Sequence, residues 1–259
     1  VVVAPAGIGK SWVLSAMGAY AISQGLNVVH YTLELNEAYV GLRYDSIFTG
    51  VESQNLKYHK EEVMEKLFDL KGNLTIKYYP TKACTVNTLS AHLKKVTTFG
   101  TKVDMVLVDY ADIMKDVSKA QEMRHALGNI YEDLRGMAGE LQIPVWTASQ
   151  ANRSALDEDV IEASKVAESY AKVMTADFVI SLSRKIEDKI GNTGRFHVIK
   201  NRFGPDGLTY PAKINTNIGK IEIFESNSVQ GKGVQHKINN RDNQVKTMLS
   251  ARYDDLMNE

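Results

Sequence analysis

The 259-residue chain predicts an α/β fold: a mostly parallel central sheet flanked by helices, with antiparallel hairpin strands at its C-terminal end. Three observations predict it. Short apolar runs alternate with stretches of helical periodicity, the pattern of successive β-α-β units. Runs such as "VDMVLVDY" are continuously apolar, as strands buried on both faces of a parallel sheet read. Near the C-terminus the strand-like runs follow one another with only turn residues between them, as antiparallel neighbours do.

The elements follow in order. "VVVAPAG" reads as a buried strand entering a loop, and "KSWVLSAMGAYAISQG" as a helix. In that helix Trp12, Val13, Ala16, Met17 and Tyr20 recur at helical spacing, and Gly25 stops it. "NVVHYTLEL" is the second strand, and residues 36–70 carry a charged helical pattern. "NLTIKYYP" is a strand closed by Pro80. "TVNTLSAHLKKVTTFG" is a helix with Thr85 as its N-cap and Gly100 as its stop. "VDMVLVDY" is a strand ending in Asp109, and "MRHALGNIYEDLRGMAGEL" an amphipathic helix. "IPVWTASQ" and "DFVISLSR" are further strands, and "RFHVIKNRFG" and "YPAKINTNIGKIEIFE" finish the sheet. The expected domain spans residues 1–224. Beyond Phe224 the chain turns polar, and residues 225–259 read as a mobile tail whose last stretch, "VKTMLSARYDDLMNE", has the pattern of a short helix.

Composition bounds the function. Lys+Arg 31 balance Asp+Glu 31, so the chain is not a strongly basic nucleic-acid module, although a local cationic channel remains open to it. The one cysteine, Cys84, rules out a disulfide framework within the chain and fits a reducing compartment. No apolar run is long enough to span a bilayer, and no signal peptide is apparent, so the expected location is cytoplasmic, with no membrane partner. The six histidines lack metal-ligand spacing, so no zinc site is expected. The chain opens inside a core strand without a Met, which suggests a fragment with an N-terminal portion missing.

"APAGIGKS", Ala4 to Ser11, matches the phosphate-loop pattern G-x-x-x-x-G-K-[ST] between a strand and a helix, except that Ala4 stands where the first Gly belongs. Backbone N–H groups of such a loop wrap phosphates, Lys10 reaches the terminal phosphates, and the Ser11 hydroxyl binds Mg²⁺. The candidate nucleotide-binding set is Ala6, Gly7, Ile8, Gly9, Lys10, Ser11 and Trp12. Asp109, ending an apolar strand, is the candidate second Mg²⁺ holder, through water. Glu34, at the end of "YTLEL", is the candidate general base for the attacking water. Gln150, ending "VWTASQ", is a neutral hydrogen-bonder suited to sense the γ-phosphate. All four lie where an open α/β sheet binds ligands, beyond the carboxyl ends of its strands.

Together these stretches resemble the RecA-like ATPase domain of DnaB-type replicative helicases, with the T-even tailed-phage group nearest. "YTLELNE" is similar to their strand with the catalytic Glu, and Arg43 falls where they have a helical arginine. "KYYPTKACTVNTL" resembles their Tyr-Pro-Thr-Gly stretch, with Lys82 in place of the Gly. "VLVDYADIM", "VWTASQANRS", "KVAES", "TADFVISL" and "IKNRFG" match in the same order, to about Phe224. The resemblance implies a RecA-like P-loop NTPase that works as a homo-hexamer, binding ATP or another NTP with Mg²⁺ between subunits. It implies that Lys200 and Arg202, which share one face of a strand, reach the γ-phosphate held by the neighbour. It implies Mg-dependent NTP hydrolysis, translocation on single-stranded DNA and duplex unwinding. Primase and helicase-loader contacts would come through the missing N-terminal region or the tail, in a bacterial host cell if the chain is phage-encoded.

A ring on single-stranded DNA needs central loops that touch the phosphate backbone. The candidates are Lys115, Lys119 and Arg124 after Asp109, and Asn152, Arg153 and Lys165 after Gln150. Asp157, Glu158 and Asp159 share the second loop and would repel phosphate. Two other readings use the same fold: a recombination or circadian-type regulatory ATPase, and an assembly module that binds nucleotide without turnover. The late Lys-x-Arg segment favours the helicase over the first, and Glu34 with Asp109 speaks against the second.

Overall fold

A computed structural model describes residues 1–118, 120–166, 170–240 and 247. Lys119, residues 167–169 of the "KVAES" match and, apart from Thr247, the expected terminal helix lie outside the described residues.

The strands are β1 (Val2–Ala4), β2 (Val28–Thr32), β3 (Leu74–Tyr78), β4 (Met105–Asp109), β5 (Val145–Gln150), β6 (Phe178–Ser183), β7 (Thr193–Asn201), β8 (Thr209–Asn215) and β9 (Lys220–Ile223). They form one sheet in the order β3-β2-β4-β5-β1-β6-β7-β8-β9. From β3 to β6 every pairing is parallel, and from β6 to β9 every pairing is antiparallel. The switch has a simple cause. A parallel crossover needs about a dozen residues or more. The segment 184–192 between β6 and β7 is shorter and holds only a one-turn helix, Ile186–Ile190.

The helices α1 (Lys10–Ser23), α2 (Glu37–Thr49), α3 (Lys60–Phe68), α4 (Val86–Thr98), α5 (Met123–Leu141), α6 (Ala171–Thr175) and α7 (Ile186–Ile190) cover the faces. Successive strand residues point to opposite faces, so each parallel strand feeds two cores. Val28 and Leu107 join Leu14, Ile22 and Tyr44 beneath α1 and α2. Val29, Val106 and Val108 join Leu89, Leu93, Ile130 and Leu134 beneath α4 and α5. Full burial of a side chain such as Leu14 contributes about 1.5–3 kcal/mol. The caps follow the sequence: Asn36 accepts the Tyr39 amide at the start of α2, and Thr85 forms a capping box with Thr88.

Four local readings change. β2 ends at Thr32, so Glu34 sits in the loop beyond the strand. The helical stretch 36–70 is split, because Gly50 takes φ 75 and ends α2 before a short 3-10 turn and α3. The short helices α6 and α7 had no periodicity long enough to announce them. The polar segment expected as a mobile linker contains a helix over 229–240, and it docks because Val234 and Ile238 are buried.

Candidate active site

The loop from Pro5 to Gly9 joins β1 to α1 at the C-terminal edge of the parallel strands. Gly7 has φ 71 and Gly9, the N-cap of α1, φ 119, a left-handed geometry that glycine adopts without strain. No side chain among the described residues caps α1, so its first amides stay open for an anion. Ala4 causes no distortion: it is an extended residue of β1, paired in register with Gln150. Ala6 and Gly7 are exposed, whereas the side chain of Ile8 is buried in the core and only its backbone can face a ligand. Trp12 is occupied by packing. The Arg43 guanidinium lies 5.2 Å from its ring centre, and a Cβ on Gly219 would approach its ring to 2.6 Å.

Lys10 folds back on the loop, its Nζ donating to the Ala4 and Pro5 carbonyls at 3.1 and 3.2 Å. Burial pushes its pKa down, and the nearby charges of Asp109, Glu34 and Asp112 oppose that shift. Asp109 is buried beside Thr32 of β2, and burial raises its carboxyl pKa. The Ser11 hydroxyl, as a hydrogen-bonding neighbour, and the Arg43 and Lys10 cations oppose that rise. Asp109 Oδ1 has no hydrogen-bond partner among the described residues, nor does one Arg43 guanidinium nitrogen, Nη1. A buried carboxylate oxygen without a partner costs free energy, and a divalent cation or its water would relieve it. Glu34 is exposed, close enough to Asp109, Lys10 and Arg43 to act on all three. Gln150 lies beside Ala4, and the next amide, of Ala151, donates to the Ala4 carbonyl at 3.1 Å. Lys10, Ser11, Asp109, Glu34 and Gln150 therefore gather at one edge of the sheet.

Lys200 and Arg202 do not join them. Lys200 pairs with Val179 and Asn201 with Phe178, at the start of β6, and the Val1 amine donates to the Phe178 carbonyl. Since β6 runs parallel to β1, both cations lie at the N-terminal edge, across the sheet from their own phosphate loop. Lys200 Nζ donates to the Val173 and Met174 carbonyls, and Arg202 pairs with Asp177 at 2.9 Å. An apolar cleft of about 510 Å³, lined by Leu134, Trp146, Phe178 and Phe203 among others, opens at this edge too, remote from the phosphate loop.

Of the loop candidates, Lys115, Arg124, Asn152 and Arg153 are exposed. Lys165 is paired with Glu158 at 2.8 Å. The Asn152 amide donates to the Lys165 carbonyl, which closes the base of the second loop. Of its acidic trio, Asp159 is neutralised by Lys185 and Arg195.

Three residues escaped the sequence reading. Arg184 is buried at the end of β6, and its Nη1 donates to the Ile8 carbonyl of the phosphate loop at 3.5 Å. Asp112, partly buried, and Lys172, fully buried, form an ion pair at 2.9 Å. No local pattern marks a lysine or arginine whose partner comes from a distant segment.

Residues 1–218 match the family described as the DnaB-like helicase C-terminal domain. The chain belongs to that family. Among curated DnaB-like relatives, the replicative helicase of Enterobacteria phage T4 is 27% identical over 218 residues, covering 79% of this chain and 46% of that protein. The replicative helicase DnaB of Helicobacter pylori (strain ATCC 700392 / 26695) is 24% identical over 157 residues, covering 59% of this chain and 32% of that one. The chain thus spans less than half the length of these DnaB-like relatives. Two solved structures share the fold at 18% identity. One, described as an ATPase domain, has a TM-score of 0.74, covering 86% of this chain and 84% of its own. A DnaB-like replicative helicase, described with its interactions with primase, has 0.73, covering 85% and 56%. The expected RecA-like fold and the DnaB-type resemblance both hold.

Proposed function

We propose that the chain is the NTP-hydrolysing motor of a replicative DNA helicase, acting as a homo-hexameric ring that moves on single-stranded DNA and unwinds duplex. The observation that carries this reading is the split site: the phosphate loop with its two carboxylates lies at one edge of the sheet, the Lys200–Arg202 pair at the other. A head-to-tail neighbour can bring the two edges together.

The α1 amides and Lys10 bind the nucleotide phosphates, with Lys10 leaving the Ala4 and Pro5 carbonyls to do so. Ser11 and Asp109 hold Mg²⁺, and the unpartnered Asp109 Oδ1 fits that role. When bound, Mg²⁺ neutralises charge developing on the phosphoryl oxygens. Glu34 accepts a proton from the attacking water. Gln150 senses the γ-phosphate at the root of the second DNA loop. Lys200 and Arg202 of the adjacent subunit stabilise negative charge on the transferred group, Arg202 with a fork suited to two phosphate oxygens. Lys115, Arg124, Asn152, Arg153 and Lys165 contribute to the DNA channel. Primase is a partner by analogy with the helicase whose structure describes that interaction.

Steady-state ATP hydrolysis, measured across protein concentrations with and without single-stranded DNA, tests the reading. A specific rate that climbs with concentration and with DNA supports it. A specific rate indifferent to both sinks it.

A further inference from the structure

The crossover from β5 to β6 must return the chain from the nucleotide edge to the opposite edge, and α6 lies in its last part, just before β6. Its second residue, Lys172, is 1% exposed. The ammonium lies 2.9 Å from Asp112 Oδ2, donates to Ser149 Oγ at 3.2 Å and sits 5.8 Å from the centre of the Tyr131 ring. Asp112 stands in the 3-10 turn that follows Asp109. Its carboxylate also accepts the Tyr131 hydroxyl at 2.8 Å, the Ser149 hydroxyl at 3.1 Å and the Gln150 amide at 3.3 Å. A buried cation and a partly buried carboxylate, each with several partners, thus bind the end of β4, the end of β5 and the start of α6. Such a pair is a poor source of net stability, because desolvation offsets its attraction. Its geometry is the more informative property.

The other end of α6 carries the two cations. Carbonyls in the last turn of a helix have no intrahelical partner. Here Val173 and Met174 give theirs to Lys200, at 2.9 and 2.6 Å, and Met174 also to Arg202, at 3.2 Å. These acceptors are the two residues that follow Lys172. The side chain of Lys172 is therefore pinned at Ser149 and at the carboxylate that accepts the Gln150 amide, and the backbone next to it is the seat of Lys200 and Arg202.

We infer that the Asp112–Lys172 pair is a positioning strut, linking the place of Gln150 in one subunit's nucleotide site to the placement of Lys200 and Arg202 presented to the next subunit. This rests on the proposed trans action of Arg202. A shift of the Gln150 backbone alters its bond to Asp112, which draws Lys172 and with it the α6 carbonyls. Misplacement of a catalytic group by about 1 Å can cost about a hundredfold in rate.

The test is a double-mutant cycle on the full-length oligomeric protein with saturating single-stranded DNA. The kcat, the nucleotide affinity and the oligomer size are measured for wild type, Lys172→Met, Arg202→Ala and the combination. The strut predicts that Lys172→Met lowers kcat about 10–100-fold, leaves nucleotide affinity within about twofold, and adds nothing in the Arg202→Ala background. An equal loss in both backgrounds overturns the strut and leaves the trans reading standing. If Arg202→Ala keeps wild-type kcat, the trans reading falls and the strut with it. Lys172→Met leaves a partly buried carboxylate without its cation, so the neutral pair Lys172→Met/Asp112→Asn is assayed beside it. That variant should melt cooperatively and lose kcat to the same degree; wild-type kcat in it overturns the strut.

Discussion

Lys200 and Arg202 share one acceptor: the Met174 carbonyl receives Lys200 Nζ at 2.6 Å and Arg202 Nη2 at 3.2 Å. Both side chains, one from the end of β7 and one from the residue just beyond it, thus stop at the same helix end. Asp177 takes the rest of the Arg202 fork and is braced by Arg135 at 3.0 Å. The pair is presented as a unit, far from its own phosphate loop. Lys10→Ala and Arg202→Ala subunits should each be inactive alone, with losses of about 10³-fold for the arginine. Mixed, they should recover a measurable fraction of wild-type hydrolysis, since an intact loop can then face an intact arginine. No recovery on mixing, in assemblies shown to exchange subunits, would rule out a shared site.

Glu34 is exposed in the loop beyond the end of β2, outside the phosphate loop itself. Glu34→Gln keeps the shape and removes the base. Turnover should fall about 10²–10⁴-fold while nucleotide affinity stays within about twofold. An equal loss in affinity and turnover would assign Glu34 to binding instead.

Lys115 and Arg153 are exposed on the two loops proposed to face DNA. Replacing either by Ala should weaken single-strand binding regardless of sequence and reduce the slope of log affinity against log salt by about 0.7. A slope unchanged in both variants would move the DNA path elsewhere.

Lys82 has φ 58, a left-handed backbone that costs a non-glycine residue about 1–2 kcal/mol. Lys82→Gly should stabilise the fold by about 0.5–1 kcal/mol after the entropy that glycine adds to the unfolded chain. Urea unfolding measures the shift, and a destabilised variant would show that the Lys82 side chain contributes more than its backbone strain costs.

His30 is buried against Tyr44, with Nδ1 2.9 Å from its hydroxyl, and burial pushes its pKa down to about 3. The unfolded chain binds this proton near pH 6.5, so between about 6.5 and 3 the unfolded state holds more protons. Stability from the neutral imidazole is therefore full above pH 6.5 and is lost as the pH falls toward 3. Melting temperatures of wild type and His30→Gln, compared from pH 7 to 4, should converge as the pH falls. A constant gap would mean that His30 does not titrate on unfolding in this window.

The phosphate loop was legible because its chemistry is local: Gly7, Gly9, Lys10 and Ser11 are consecutive or nearly so, and a strand and helix flank them. Asp109, Glu34 and Gln150 were legible because strand ends in a parallel sheet converge. The seat of Lys200 and Arg202 was not, since the short segment 184–192 reverses the strand direction and so decides which edge they occupy. Lys172 reads locally as an ordinary charged residue of a short helix; partners from distant segments of the chain, Asp112, Ser149 and Tyr131 among them, make it a core residue. The helix over 229–240 hid for a related reason: its two buried contacts, Val234 and Ile238, are diluted by polar neighbours.

The opposite placement of loop and hairpin on one sheet has an arithmetic consequence. In the proposed ring, each contact between neighbours completes one reaction centre, so an open row of subunits would hold one centre fewer than its members. Only a closed circle makes the two numbers equal. A single poisoned hairpin then silences the centre of the next subunit while its own loop stays competent, so damage is always displaced by one place around the circle.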